Sequence, residues 1–432
     1  MTTARHTMAL LERIDGPDLA VHPERCVLVR NRNADCLRCA QACTSGAISA
    51  NDDGLQIDPD LCIGCGTCAT VCPTGALEPL SPDDQALARA GAELATSCGG
   101  TLVFACDRAV KEARRDGSVP ATGKVPGCAE VACLGRIDAT ELVELAVRGA
   151  ERVVLAAGTC AVCPHRTGGQ TAAKTAEEAR HLLAAFGSSL EIVETVGFPR
   201  AEDGWNPSAD APGYSLKRLA RMEATPQEVL REASDAVARR EGFETGVRPV
   251  AEATGDSEAD IAPEAANVPR ENGADLEDGV RVPHVGKDGL LAQFVPARRT
   301  RLFNCLKALG EPCQETLETH LWGTVEIDPE RCDACRMCAV FCPTGALRRF
   351  ADGEGDAGVV HQSTFCVQCG TCEAICPRGA ITVSPAVDLE DFLHGTAVPY
   401  PMDRPDWKPN APDSIYRRMV GLLGTGNNIA VY

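Results

Sequence analysis

Nothing in these 432 residues is apolar for long enough to span a membrane, and nothing in Met1 to Ala20 reads as an export signal. That stretch has no apolar central region, no twin-arginine pair and no cleavage site, so the expectation is a cytoplasmic protein without direct membrane insertion. Positive charge is scarce: 42 Lys and Arg stand against 61 Asp and Glu, a formal net charge of −19 that argues against unaided binding to nucleic acid or an anionic membrane surface. The chain also lacks a Ser/His/Asp constellation, a paired acid and base, and a flavin or nicotinamide fingerprint. Gly421-Leu-Leu-Gly-Thr-Gly has no strand before it or helix after it, and Gly117 to Lys124 misses phosphate-loop spacing, so no nucleotide site is expected.

Cysteine, by contrast, is abundant, with 24 residues in a chain whose 44% hydrophobic content and length suit two to four globular domains. Most of them fall into runs with metal-ligand spacing, which fits a reducing compartment better than a disulfide framework. The clearest run is Cys62-Ile-Gly-Cys65-Gly-Thr-Cys68-Ala-Thr-Val-Cys72-Pro73, the C-x2-C-x2-C-x3-C-P pattern that suits a cubane 4Fe-4S cluster. Gly64 and Gly66 let backbone N–H groups approach the sulfides. Cys26, Cys36, Cys39 and Cys43 form a partner run upstream, and Cys332, Cys335, Cys338, Cys342 with Cys366, Cys369, Cys372, Cys376 repeat the pair. Each run closes on one phrase, a cysteine followed three residues later by Gly-Ala-Ile or Gly-Ala-Leu, in which Gly permits a turn and the aliphatic residue can cover a cluster. The first run is irregular. Nine residues, Val27 to Asp35, separate Cys26 from Cys36, and Thr44 replaces the usual Pro. That insertion is expected to loop out as a solvated surface segment carrying Arg30 and Arg32.

Both pairs resemble bacterial-type two-cluster ferredoxin domains, in which the fourth thiolate of each run serves the other cluster. The resemblance implies four 4Fe-4S sets: Cys26, Cys36, Cys39 with Cys72; Cys62, Cys65, Cys68 with Cys43; Cys332, Cys335, Cys338 with Cys376; and Cys366, Cys369, Cys372 with Cys342. Zinc is the alternative occupant of such spacings.

Between the pairs, apolar runs alternate with helical stretches, predicting βα units and a parallel sheet. Leu102-Val-Phe-Ala, Arg152-Val-Val-Leu-Ala-Ala and Leu190 to Val196 read as strands. Asp138 with Glu141 reads as the capping box of a helix ending near Gly149, and a second helix is expected over Thr171 to Phe186. Cys106, Cys133, Cys160 and Cys163 follow strands, where α/β sheets place sites. The words Phe104-Ala-Cys106, Cys133-Leu-Gly-Arg-Ile-Asp and Gly149 to Cys160 resemble the iron–sulfur delta subunit of methyl-viologen-reducing hydrogenases. That resemblance implies a 2Fe-2S cluster and a link between hydrogenase and heterodisulfide reductase. Ala109 stands where that family has a second cysteine, and Cys160 and Cys163 are spaced differently, so a redox-active dithiol, a zinc site and inert cysteines stay open, with Cys98 and Cys128 in reserve.

Leu216 to Arg240 reads as surface helix, and Ala251 to Val280, with nine acidic residues against Arg270 alone, as an extended linker that would let the C-terminal pair move. Cys305 and Cys313, in and after a helix that opens at Arg298-Arg-Thr-Arg301, read as buried small hydrophobes. The expected class is multidomain, α/β and α+β, with two ferredoxin-like two-cluster modules flanking a small parallel-sheet domain. The expected boundaries are a first ferredoxin domain over 1–80, the sheet domain over 96–200, a helical and acidic segment over 201–285, a basic lead-in over 286–325, the second ferredoxin domain over 326–390 and a tail over 391–432. The expected function is electron transfer within a redox complex, between a flavin- or metal-containing oxidoreductase and its partner. The alternative is an enzyme whose middle cysteines reduce a disulfide or sulfur species.

Overall fold

A computed structural model describes residues 19–31, 33–51, 54–80, 82–216, 290–351 and 357–402. The expected helix from 217 onward, the stretch Ala251 to Val280 and the tail beyond 402 lie outside them.

In chain order the first module has β1 (Leu19–Val21), α1 (Val27–Arg30), α2 (Arg38–Ala42), β2 (Ile48–Asn51), β3 (Gly54–Ile57), α3 (Thr67–Val71) and β4 (Leu77–Pro79). The antiparallel pairs β1–β4 and β2–β3 set Ala20 opposite Glu78 and Ile48 opposite Ile57. Helices of four or five residues cannot stand alone. Here they pack with Leu19, Ile48, Leu55 and Leu77 around the buried Cys26, Cys39 and Cys68.

Next come α4 (Asp84–Ser97), β5 (Thr101–Cys106), α5 (Asp107–Asp116), β6 (Cys128–Val131), α6 (Ala139–Val147), β7 (Arg152–Ala157), α7 (Arg166–Ala185), β8 (Glu191–Val196) and β9 (Tyr214–Ser215). They build a five-stranded, all-parallel sheet in the order β8-β7-β5-β6-β9. Both faces are covered, and the period of two along β5 is plain: Leu102, Phe104 and Cys106 enter one core, Val103 and Ala105 the other. The expected capping box is present. Asp138 Oδ1 accepts from Thr140 N at 2.7 Å, and the Glu141 carboxylate accepts from Asp138 N at 3.2 Å. The second expected helix starts at Arg166, five residues before Thr171, because Gly168 and Gly169 lie within its first turns.

The last part contains α8 (Ala297–Leu309), β10 (Thr316–Glu318), β11 (Thr324–Ile327), α9 (Met337–Phe341), β12 (Leu347–Ala351), β13 (Ala357–His361), α10 (Thr371–Ala374), β14 (Ile381–Ser384), β15 (Ala386–Asp388), α11 (Leu389–His394) and β16 (Val398–Pro401). Antiparallel pairs β10–β15 and β11–β14 and the sheet β12-β13-β16 hold it together. The larger core of the parallel sheet continues into this part through Leu302, Leu306, Trp322 and Phe392. Trp322 meets Phe392 edge-on at 4.8 Å and donates its indole N–H to Thr364 O at 3.1 Å. Cys305 is buried in that core, as expected, but Cys313 is exposed, a correction. Its backbone is fixed beside the end of α7, where Cys313 N donates to Ala185 O at 2.7 Å, and its Sγ lies near Gly187. Among the described residues no helix is long and apolar enough to cross a membrane.

The basic run is spent on α6. Arg298 pairs with Asp138 at 3.1 Å, with both side chains under a tenth exposed, and Arg301 reaches Glu141 and, at 3.2 Å, Glu144. Burial would raise the Asp138 carboxyl, but the Arg298 guanidinium holds it well below the usual carboxylate range. Arg298→Ala should therefore cost about 3–5 kcal/mol by stranding a buried carboxylate, read as a lower urea midpoint. The depressed carboxyl contributes fully above its unfolded pKa of about 4, and that contribution disappears only as the pH falls far below it. In Arg298→Ala burial no longer opposed by that guanidinium raises the carboxyl, so the gap to wild type should begin to narrow once the stranded carboxylate takes up a proton and should go on narrowing to well below about pH 4.

Candidate metal centres

Four turns present the fourth thiol of each run in one way. Gly46, Gly75, Gly345 and Gly379 all take left-handed backbone, with φ of 72°, 63°, 75° and 55°. The turns aim polar hydrogens at sulfur: Leu347 N lies 3.5 Å from Cys342 Sγ, Ala380 N 3.3 Å from Cys376 Sγ, and the Ser45 hydroxyl 3.5 Å from Cys43 Sγ. Burial would raise the Cys43 thiol, but the Ser45 hydroxyl and the Ala47 and Ile48 amides bring it below its ordinary value. At Cys43 these contacts favour thiolate over thiol, as a metal ligand requires.

The C-x2-C-x2-C loops carry stored strain. Gly64 and Gly66 are left-handed at φ 63° and 74°, and the matching positions near the other end are Ala334, Arg336, Gln368 and Gly370, at 56°, 57°, 47° and 74°. Ala334, Arg336 and Gln368 are the three non-glycine residues with positive φ among the described residues. Left-handed backbone outside glycine costs about 1–3 kcal/mol per residue and persists where function demands it. The run Cys36-Leu-Arg-Cys39 departs from this, with Leu37 at φ −117°.

Thiols of paired runs lie close enough to act on one another, both across runs and within them, for Cys342 acts on Cys338 and Cys39 on Cys68 as well. Cys72 and Cys36 lie among the charges acting on Cys26 and Cys39, and Cys43 among those acting on Cys68 together with Cys65 and Cys62. Likewise Cys376 acts on Cys332 and Cys335, and Cys342 on Cys366, Cys369 and Cys372. One cavity of about 410 Å³, open to solvent, is lined by Cys332, Cys335, Cys338 and Cys376, with Ile381 and Met402 over it. Cys342 does not line it. Among the described residues no three His, Cys, Asp or Glu side chains close on a single-ion site. A cube distributes four thiolates over four irons and asks for a wider arrangement than one ion does.

The middle cysteines converge. Cys106, Cys133, Cys160 and Cys163 line a second open cavity of about 320 Å³ with His165 and Gly169. Cys106 ends β5, Cys133 follows β6 and Cys160 follows β7, three adjacent parallel strands, so their C-terminal ends deliver the thiols to one place. Cys106 Sγ accepts from Gly158 N at 3.1 Å and Ala109 N at 3.4 Å, Cys133 Sγ from Gly135 N at 3.5 Å, and Cys163 Sγ from His165 N at 3.4 Å. Cys98 and Cys128 do not line the cavity; Cys128 packs into the core on the opposite sheet face from Cys106.

Several residues at these sites carried no signal on their own. Gly168 and Gly169 let α7 approach the thiols, for a Cβ there would stand 2.1 Å from Cys133 Sγ and 2.6 Å from Cys160 Sγ. Thr67, within the Cys62–Cys68 loop, and Arg136, three residues after Cys133, mark where that loop meets the segment following β6. A Cβ on Gly135 would meet Thr67 Oγ1 at 2.4 Å, and one on Gly66 would meet Arg136 Cδ at 2.6 Å. Arg136 is buried and paired with Asp84. Cys65 is among the charges felt by Cys133, whose thiol burial pushes up to about 12.

Comparison with known proteins accords with this geometry. Residues 55–78 match the 4Fe-4S binding domain and residues 331–380 the 4Fe-4S dicluster domain. The chain thus carries two 4Fe-4S ferredoxin-type domains. Neither match reaches the run from Cys26 to Cys43 or the parallel sheet. Over 39 residues the chain is 54% identical to Hydrogenase-4 component A of Escherichia coli, which is 9% of this chain and 19% of that protein. Over 49 residues it is 43% identical to a ferredoxin of Alicyclobacillus acidocaldarius, 11% of this chain and 63% of that protein. Over 40 residues it is 45% identical to the electron transport protein HydN of Escherichia coli, 9% of this chain and 23% of that protein. The chain spans about a fifth of the two Escherichia coli relatives.

Two glycine swaps separate tight packing from strain. Gly168→Ala should displace the Cys133 thiol and speed its alkylation by iodoacetamide without loss of iron from the ferredoxin-type domains. Ala334→Gly should keep full iron and raise the thermal midpoint by the equivalent of about 1 kcal/mol, because it releases a left-handed non-glycine residue.

Proposed function

We propose that the protein is an iron–sulfur electron-transfer subunit of a redox complex, holding four 4Fe-4S clusters in the crossed sets and a fifth, 2Fe-2S centre at Cys106, Cys133, Cys160 and Cys163. In this reading the cavity shared by Cys332, Cys335, Cys338 and Cys376 is the observation that carries the most weight, since it groups a fourth thiol with the other run's first three. Bound clusters supply one-electron centres. The chain's own residues supply thiolates, the amides and hydroxyls that stabilise them, and burial that keeps water away. Four-cysteine cubanes leave no open coordination position, so substrate chemistry falls to a partner, proposed to be a flavin- or metal-containing oxidoreductase of hydrogenase or heterodisulfide reductase type. The middle sheet would correspond to the delta subunit of methyl-viologen-reducing hydrogenases, and its neighbourhood to Cys65 supports passage between that centre and the first ferredoxin-type domain. We place the chain in the cytoplasm.

The second reading, in which Cys160 and Cys163 act as a dithiol on a disulfide or sulfur species, is favoured by the openness of their cavity and by the exposed Val162 between them. Alkylation separates the two. Cysteines holding a cluster should resist iodoacetamide in the fully metallated protein, whereas free labelling of Cys160 and Cys163 would favour the dithiol. For the cubanes, Cys43→Ser should disturb the EPR signal of the centre held by Cys62, Cys65 and Cys68, and Cys72→Ser that of Cys26, Cys36 and Cys39. If Cys43→Ser and Cys36→Ser perturbed one and the same centre, the crossed assignment would fail. The purified chain should turn over neither hydrogen, nicotinamides nor small disulfides until a partner is restored.

A further inference from the structure

The nine-residue insertion is not a solvated loop throughout; Arg32 lies outside the described residues, Asn33 and Asp35 are exposed, and Arg30 is not. Four of its residues form α1, and Arg30 at the end of that helix is 5% exposed, which overturns the expectation of a solvated Arg30. Its guanidinium donates to Glu24 O at 3.0 Å, two residues before Cys26, to Ala292 O at 2.6 Å in the segment preceding the second ferredoxin-type domain, and to Cys342 O at 3.4 Å within that domain. Its Nε is buried with no hydrogen-bond acceptor. The segment that receives it is itself bound to the second module, since Phe294 N donates to Pro343 O at 2.7 Å. On the far side of the insertion Arg38 donates to Gln368 O at 2.8 Å, inside the Cys366–Cys369 loop. Burial lowers the Arg30 pKa, while the charges of Cys342 and Cys369 work the other way, and Cys36 is among the charges felt by Cys369.

We propose that Val27 to Asp35 is a junction that joins the two ferredoxin-type domains into one relay, with Arg30 as a buried positioning residue between the centre of Cys26, Cys36, Cys39 and Cys72 and that of Cys342, Cys366, Cys369 and Cys372. This rests on the reading of both thiol sets as clusters. Cubanes with four thiolates are anionic in either working oxidation state, so two placed side by side in a low-dielectric interior repel each other and resist reduction. A guanidinium that cannot lose its proton, with a buried N–H unpaired, offsets that charge at the point where the domains meet. The step it serves is simple: one centre gives up one electron, its neighbour gains it, and no bond or proton moves. Ordinary two-cluster spacing has two residues at this point; the insertion supplies the reach to Ala292 and Cys342.

The test uses the full-length, anaerobically reconstituted chain with iron content and potentiometric EPR as readouts. Arg30→Gln should keep full iron and four cubane signals while lowering the midpoint potential of one centre in each domain, and Arg30→Lys should restore most of both shifts. Independently, Cys369→Ser should change the spin relaxation of the first domain's signals through loss of a neighbouring spin. Unmoved potentials in Arg30→Gln, a shift confined to the first domain, or first-domain relaxation indifferent to Cys369→Ser would each overturn the junction. Should Arg30→Gln fail to assemble, the relaxation experiment, which leaves Arg30 in place, decides alone. Reconstituted wild type holding zinc or only about 8 irons would instead remove the cluster reading beneath it.

Discussion

Crowded thiols are the constraint on which this structure depends. Burial pushes Cys39, Cys338 and Cys366 up to about 12, and neighbouring sulfurs push in the same direction. Left to themselves these groups would stay protonated and contribute only small hydrophobic volume. Metal replaces the protons and turns repulsion into coordination, so folding and metal loading are expected to be coupled. The short helices and two-stranded sheets around each set are consistent with that dependence, since elements of this size gain little by themselves.

Around the thiols, the chain spends stability on placement. Left-handed backbone at Ala334, Arg336 and Gln368, a Gly-Gly pair against Cys133 and Cys160, and buried arginines at 30 and 136 all lie at thiol-bearing loops. The elements that connect the parts are of another kind. The Arg298–Asp138 pair, the continuous core through Trp322 and the bond from His320 N to Glu178 at 3.2 Å tie the parallel sheet to the last part of the chain. These contacts hold the sheet and the last part of the chain in fixed relation among the described residues.

Legibility followed the range of the interactions. Cluster-type spacing is local, so the runs Cys62 to Cys72 and Cys332 to Cys376, which fall within the matched 4Fe-4S domains, could be singled out from the chain alone, and so could the Asp138–Glu141 cap and the apolar runs of β5, β7 and β8. The four-residue β6, with Glu130 at its middle, and the two-residue β9 are too short and too polar to show a period. Arg30 was legible as an oddity but not as a buried group, because the carbonyls that receive it lie 262 and 312 residues further on. Gly168 and Gly169 carry no local signal, and their role appears only once Cys133 and Cys160 are brought against them.

Iron content tests the central claim most directly. Anaerobic quantification with Mössbauer spectroscopy should find about 16 irons in cubane form and about 18 when the middle site holds a 2Fe-2S centre. A fully loaded protein containing mainly zinc, or only about 8 irons, would contradict the account.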